Sequence, residues 1–390
     1  MMIEEIGQGG FGCVYSPPLD CRNKNLPKQC KTDNCVSKRF KSRFAYDHEL
    51  KTMESIEKID KDGKYHFKLY GDCPESKDYS VTEHCRGSLK LKNPPLIYYE
   101  KGEKNLDTIL NEIIKSKSHD EYYDLMYNLL NLFNGLIFFE KHKFVHHDLK
   151  GNNIVRTIDG KYKFIDFGSS IDYSKKIDEN NDFTYNYLFW PAEIIYLDNS
   201  DDSHFDDDFL KSYVESFYGW LNRAIGTKYN EVEKLVNYLK FLRIPRKEII
   251  KKLDIYAFGI VLTSVYFVGV EIGAEIASDK LLKLIKGMYD IVVERRYSPE
   301  KARDEFIEYL KELDRELGEK GGKIHDETFY EIPKFNEKLP EFYETPKLSK
   351  ASKFNEKNPN HVQSCNCDYC IIHLSMDNKF EKITDVDENF

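Results

Sequence analysis

Hydrophobic and polar positions change their period along the chain. Over the first hundred residues short β-forming runs dominate: "EEIGQGGFGCVYS" reads as a strand, a glycine turn and a second strand, and "NCVSKRF" supplies a third. "YDHELKTMESIEKID" then sets Leu50, Met53, Ile56 and Ile59 at helical spacing, so the pattern predicts a mixed sheet with one packed helix. From about Asn105 the signal turns helical, and "EYYDLMYNLLNLFNGLIFFEKH" lines Tyr122, Leu125, Leu129, Leu132 and Leu136 along one face. "NNIVRTIDGKYKFIDFG" reads as a hairpin, with an Asp159-Gly160 turn and Tyr162 and Phe164 alternating with Lys161 and Lys163. Helices dominate from about Phe205 to Leu317. Beyond Gly321 the pattern fades into Lys, Glu, Asn and Pro, a composition that cannot offset its ordering entropy and predicts a mostly disordered tail. No fixed-period repeat is visible.

Composition narrows the class. A chain of 390 residues with 41% hydrophobic and 14% aromatic residues can bury a substantial core, and two lobes fit it better than one. The net charge of −9 argues against a general binder of nucleic acid or membrane surfaces, which carries a basic excess. "MMIEEIGQGGFG" has no basic start followed by an apolar run, which favours an intracellular, cytoplasmic placement. The uncharged run Ile255 to Val270 falls short of the roughly 18 to 20 residues that span a bilayer and reads as a buried core helix. Nine cysteines, odd in number and scattered, make a disulfide framework unexpected, with Cys21, Cys30 and Cys35 read as ordinary loop and strand residues.

The candidate chemistry lies in short polar runs between these elements. Phosphoryl transfer needs a cradle for phosphates, a cation against them, metal ligands, and a carboxylate that orients the attacking hydroxyl. Gly7, Gly9 and Gly12 let a strand-turn-strand backbone approach phosphates, with Val14 covering an adenine. Lys38, on the next strand, is placed to hold the α and β phosphates, and Glu49 on the following helix to pair with it; Glu54 competes for that role. In "VHHDLKGNNIV", Asp148 is the candidate base, Lys150 neutralises charge on the transferred group, and Asn153 binds metal. Asp166 in "FIDFGSS" supplies the hard oxygen that Mg²⁺ prefers.

Five matches in this order resemble the eukaryotic-type protein kinase family over roughly Ile3 to Leu313, with Lys150 similar to the serine/threonine type. The resemblance implies an α+β, two-lobed protein-kinase fold: an N-lobe at 1–99 with an antiparallel sheet and one helix, a hinge at 100–105, and a mainly helical C-lobe at 106–318. It implies ATP and Mg²⁺ as cofactors and protein substrates as partners. Glu100 and Gly102 would offer backbone groups to adenine while Tyr99 guards the pocket. "WPAE" looks like the end of the activation segment, with Glu193 pairing with Arg296, and Asp254 in "DIYAFG" would anchor the catalytic-loop backbone. Thr184 lies two residues upstream of the spacing usual for the threonine before that motif. "GGFGCVYSPPLDC" is similar to serine/threonine kinases of large DNA viruses, which would set the protein in host cytoplasm or a virion.

Four features stand apart from the family pattern. Long spacings between Val14 and Lys38 and between Glu193 and Asp254 imply insertions, the larger a helical one at about 196–250 beside the substrate face. The tail at 319–390 holds Cys365, Cys367, Cys370 and His373, a candidate zinc set. His147 stands where regulated kinases carry arginine. A histidine, largely neutral at pH 7, weakens the need for a phosphate on the activation loop. A pseudokinase scaffold and a small-molecule phosphotransferase of aminoglycoside or choline kinase type are the alternatives. The former is disfavoured by the presence of Lys38, Asp148, Asn153 and Asp166, the latter by Lys150 and the "WPAE" and "DIYAFG" runs.

Overall fold

The computed structural model describes residues 3–77, 85, 91–174, 187–198, 205–225, 230–274, 279–319, 325 and 327–331. Its N-terminal part is a five-stranded sheet of β1 (Glu4–Gln8), β2 (Gly12–Ser16), β3 (Cys35–Phe40), β4 (Leu69–Cys73) and β5 (Leu96–Glu100), in the order β1-β2-β3-β5-β4. Every pairing is antiparallel, where the hydrophobic pattern alone had suggested a mixed sheet. The neighbours β1 and β2 are joined by a turn too short for the crossover that a parallel pair requires. Gly12 is needed for the sheet itself: a Cβ there would lie 2.3 Å from the carbonyl oxygen of Arg39 on β3.

Helix α1 (Arg43–Ile59) begins at Ser42, whose Oγ accepts the N–H of Ala45 at 3.1 Å and so satisfies one of the free N-terminal donors. Its buried face carries Met53 and Ile56, as the spacing predicts, together with Tyr46 and the charged Glu49.

The cysteines correct the sequence reading. Six of the nine pair as Cys13–Cys85, Cys21–Cys73 and Cys30–Cys35, all lining the outer core of the N-terminal sheet. The first two pairs are 72 and 52 residues apart in sequence, so their partnership exists only once the strands are in register. No count of cysteines contains that information.

The C-terminal part is mainly helical. It runs through α2 (Leu106–Ser116), α3 (His119–Asn128), α4 (Leu130–Lys141), α5 (Ile195–Asp198), α6 (Asp207–Ile225), α7 (Val232–Phe241), α8 (Arg246–Ile250), α9 (Leu253–Ile272), α10 (Asp279–Met288) and α11 (Pro299–Glu319). Short strands β6 (Phe144–Val145), β7 (Ile154–Arg156), β8 (Tyr162–Phe164) and β9 (Ile171–Asp172) lie between α4 and α5. β6 pairs with β9, and β7 pairs with β8 as the hairpin expected around Gly160, whose φ of 86° suits glycine.

The helix expected to run unbroken through Tyr122 and Leu136 is instead divided at Leu129 into α3 and α4. The interruption is slight: Leu129 keeps helical backbone, its N–H donates to the Leu125 carbonyl at 3.0 Å, and its own carbonyl accepts the N–H of Leu132 at 2.9 Å and of Phe133 at 3.4 Å, a local tightening of one turn. Aromatic rings of Phe133 on α4, Phe258 on α9 and Phe306 on α11 meet at centroid distances of 5.0 and 4.6 Å and centre this core. Each such buried ring contributes on the order of 1.5–3 kcal/mol. The segment Arg246–Ile272 is apolar and long enough to cross a membrane, but 78% of its most apolar window is buried in the fold. It is the central core helix that its sequence predicts.

Candidate active site

Lys38 sits in β3 directly opposite Val14 of β2, which sets it under the glycine turn. That turn is closed by Gly9 N–H donating to the Gly12 carbonyl at 2.8 Å, and Gly7 faces Val14 across the hairpin. The Lys38 ammonium donates to Glu49 Oε2 at 2.6 Å and to Asp166 Oδ1 at 2.8 Å. It thus ties the sheet, helix α1 and the loop after β8 together. Between the two candidate acids on α1, burial decides: Glu49 is enclosed and Glu54 is exposed. Tyr99 on β5 fixes the other Glu49 oxygen by donating to it at 2.7 Å.

Burial pulls the Lys38 pKa down, but the charges of Asp166 and Glu49 outweigh it and raise the ammonium above the ordinary lysine value. Burial also pushes the Asp166 carboxyl up, and Lys38 overcomes this, so it stays below the usual carboxylate range. Gly168 keeps the cluster tight, since a Cβ there would stand 3.3 Å from Glu49 Oε2 and 3.5 Å from Asp166 Oδ1.

Asp148 lies on the loop between β6 and β7. Asp254, in the first turn of α9, accepts the backbone N–H of His146 at 2.6 Å and of His147 at 2.9 Å, fixing the loop to the core. His146 Nε2 donates to the Ile165 carbonyl at 2.8 Å, a tautomer that leaves Nδ1 to accept the Asp148 N–H at 3.3 Å. One imidazole therefore braces the loop bearing Asp148 against the strand leading to Asp166. Both His147 (φ 67°) and Asp166 (φ 61°) hold left-handed backbone that non-glycine residues rarely adopt, and such strain concentrates at functional sites.

The Asp148 carboxylate accepts from Lys150 Nζ at 3.0 and 2.9 Å and from Asn153 Nδ2 at 2.9 Å, while Asn153 Nδ2 also reaches the Asp148 carbonyl at 2.7 Å. The Asn153 amide nitrogen thus faces Asp148, so Oδ1 is the atom it has for a cation. The donor set of Asn153 Oδ1 and the Asp166 carboxylate fits Mg²⁺, which takes one or two carboxylates and fills its shell with water and phosphate oxygens. Among the described residues no group of three or more His, Cys, Asp or Glu side chains could hold a metal. The proposed zinc ligands Cys365, Cys367, Cys370 and His373 lie outside the described residues, as does Thr184.

Glu100 ends β5, and its backbone N–H donates to the Lys68 carbonyl at 2.9 Å, so its carbonyl is the group it has to offer. Gly102 follows where a Cβ would meet Val155 at 2.3 Å and Phe67 at 2.8 Å, which explains the glycine by packing. Glu193 and Arg296 form a fully buried pair at 2.6 Å.

Two contacts had only a faint signal in the sequence. Trp190 stacks on His147 with centroids 4.8 Å apart and 6° between planes, and its Nε1 donates to the His147 carbonyl at 2.9 Å. Tyr187 donates its hydroxyl to Asp148 Oδ1 at 2.7 Å. The aromatic crowding of "YNYLFW" just before Pro191 was the available hint. Enclosed in this way, the His147 imidazole is desolvated, and burial drives its pKa down to about 4 despite the Ser169 carbonyl at 3.2 Å from Nδ1.

The sequence is similar to those of known protein kinases. Serine/threonine-protein kinase 10 of Xenopus tropicalis is 24% identical over 208 residues, 53% of this chain and 19% of that protein. Dual specificity protein kinase zak2 of Dictyostelium discoideum is 32% identical over 181 residues, 46% of this chain and 23% of that protein. The chain therefore spans less than a quarter of the length of either relative. A sheet whose lysine is clamped by two carboxylates over a loop carrying Asp148 and Asn153 accompanies a match of residues 1–207 to the protein kinase domain, and the chain belongs to that family.

Proposed function

We propose that the chain transfers the γ-phosphoryl group of ATP to serine or threonine hydroxyls of protein substrates. The observation that carries this reading is the Lys38 ammonium held between Glu49 and Asp166. A buried ammonium aimed by one carboxylate at another is costly to desolvate, and holding phosphates gives it a use. In this reading Lys38 holds the α and β phosphates, under Gly7, Gly9 and Gly12, with adenine against Val14 and the backbone at Glu100 and Gly102. Asp148 accepts the proton of the substrate hydroxyl, and Lys150 offsets charge on the phosphoryl oxygens. Asn153 and Asp166 would hold Mg²⁺, which when bound draws negative charge from the phosphates.

The neutral state of His147 supports activity without a phosphate on the activation segment, because no fixed cation there has to be matched. Helix α6 packs beside residues 187–194, with the Tyr213 hydroxyl donating to the Ala192 carbonyl at 2.9 Å, and would help shape the choice of protein partner. Of the two placements that the N-terminal resemblance to viral kinases would suggest, host cytoplasm and virion, the three disulfides favour the virion.

The test is radiolabelled ATP with a peptide library, comparing the parent with Asp148→Asn. Serine and threonine labelling that falls at least a hundredfold in the variant is expected. Labelled aminoglycosides with unlabelled peptides would reverse the substrate class. A parent that binds ATP without turnover, matching Asp166→Ala, would make it a scaffold.

A further inference from the structure

The tip of the glycine turn is gripped by a lysine to which the proposed transfer gives no part. Lys41 follows β3, and its backbone N–H donates to the Phe11 carbonyl at 2.9 Å, one step beyond the pairing of Gly12 with Phe40. Its ammonium reaches across the turn and donates to the Gly9 carbonyl at 2.8 Å. One residue therefore holds the carbonyls on either side of Gly10. A hairpin closed between Gly9 and Gly12 would exchange two bonds. Gly9 N–H donates to the Gly12 carbonyl at 2.8 Å, but among the described residues Gly12 N–H does not return the bond to the Gly9 carbonyl, which accepts Lys41 instead. A trans peptide is planar, with its C=O and N–H on opposite sides. Drawing the Gly9 and Phe11 carbonyls to Lys41 thus turns the Gly10 and Gly12 N–H groups away from it. The turn also reaches the far wall of the site, where a Cβ on Gly168 would stand 3.8 Å from Phe11 Cδ2. Burial pulls the Lys41 pKa below the ordinary lysine value and the charge of Glu5 only partly restores it, and among the described residues Lys41 makes no ion pair.

We propose that Lys41 is a positioning residue for the nucleotide phosphates, holding the Gly9 and Phe11 carbonyls so that the Gly10 and Gly12 N–H groups stay available to phosphate oxygens. The inference rests on the reading of the glycine turn as the cover over the phosphates of ATP. Without the ammonium, the Gly9 carbonyl is released to accept Gly12 N–H, and the turn closes on itself with one donor fewer for the ligand. The positive charge beside the turn, matched by no carboxylate in contact with it, adds to the attraction for a polyphosphate. Lys38 and Lys41 then act from the two ends of one strand, the first on the phosphates and the second on the backbone that covers them.

The full chain, Lys41→Met and Lys41→Arg are titrated by calorimetry with the non-hydrolysable ATP analogue AMPPNP in the presence of Mg²⁺, and separately with adenosine, which has no phosphate. Lys41→Met should bind AMPPNP about tenfold more weakly, the weight of one charge-assisted hydrogen bond, with adenosine unchanged. Lys41→Arg keeps a charged donor and should recover most of that loss. In peptide phosphorylation the same defect should read as a raised KM for ATP with the KM for peptide unchanged. AMPPNP bound equally by the parent and Lys41→Met would overturn the inference and leave the kinase reading standing. Equal weakening of AMPPNP and adenosine would also overturn it, because the lysine would then serve the fold rather than the phosphates, and so would a loss in Lys41→Arg as large as in Lys41→Met. A parent that binds neither ligand would overturn both readings.

Discussion

His147 ties the electrostatics of the loop to a measurable pH dependence. Its imidazole has a pKa near 6.5 in the unfolded chain and about 4 in the fold, so between those values the unfolded state binds the extra proton. A base with a depressed folded pKa contributes full stability above pH 6.5 and loses it as the pH falls toward 4. A gap of 2.5 pH units at 1.36 kcal/mol each gives about 3 kcal/mol, of which roughly 2 kcal/mol is already lost by pH 5. The Ser169 carbonyl and the Asp148 charge favour the protonated ring and the His146 charge opposes it, and burial outweighs the two that favour it. Asparagine at this position tolerates the left-handed backbone and does not titrate. It loses the stack on Trp190, an offset that does not change with pH. Urea unfolding followed by far-UV circular dichroism from pH 7.5 to 4 would be run on the parent and His147→Asn. The parent's advantage should shrink by about 3 kcal/mol across that range. Curves that stay parallel would show that His147 titrates alike in both states, and the argument for phosphate-independent activity would go with it.

Other perturbations test separate parts of the structure. Removing one member of the buried Glu193–Arg296 pair, as in Arg296→Met, should cost about 3–5 kcal/mol in urea unfolding, and adding Glu193→Leu should recover part of that loss. Equal costs for the single and double variants would refute the pairing. Thiol titration of unreduced, denatured protein should find three free cysteines of nine, those at 365, 367 and 370. Nine free thiols would remove the disulfides and favour a reducing cytoplasm instead. His66, buried between Asp60 and Glu57 at 2.8 and 3.0 Å, has its pKa raised by those carboxylates against the pull of burial. Its contribution is fully present below about pH 6.5 and lost as the pH rises through the folded pKa, so His66→Asn should flatten the alkaline limb of the stability profile. An alkaline limb of unchanged slope would contradict that assignment. Gly12→Ala should destabilise the sheet by about 1–3 kcal/mol, because the new methyl meets the Arg39 carbonyl; an unchanged urea midpoint would refute the close approach.

The sequence by itself determined the order of the elements and the identity of the polar runs between them, because both are local. Period-2 and helical spacing mark many of the strands and helices over residues 1–320, and Lys38, Asp148, Asn153 and Asp166 stand out by falling in short polar runs in the order that phosphoryl transfer needs. Only the tertiary structure chose Glu49 over Glu54. The two differ in which side of α1 faces the sheet, and that is fixed by packing. Only the tertiary structure paired cysteines 72 and 52 residues apart. It also brought the Tyr187 hydroxyl onto Asp148 across 39 residues and buried His147 against Trp190. Contacts between distant segments and the dielectric around a buried ring depend on the whole fold, so no local pattern of residues encodes them.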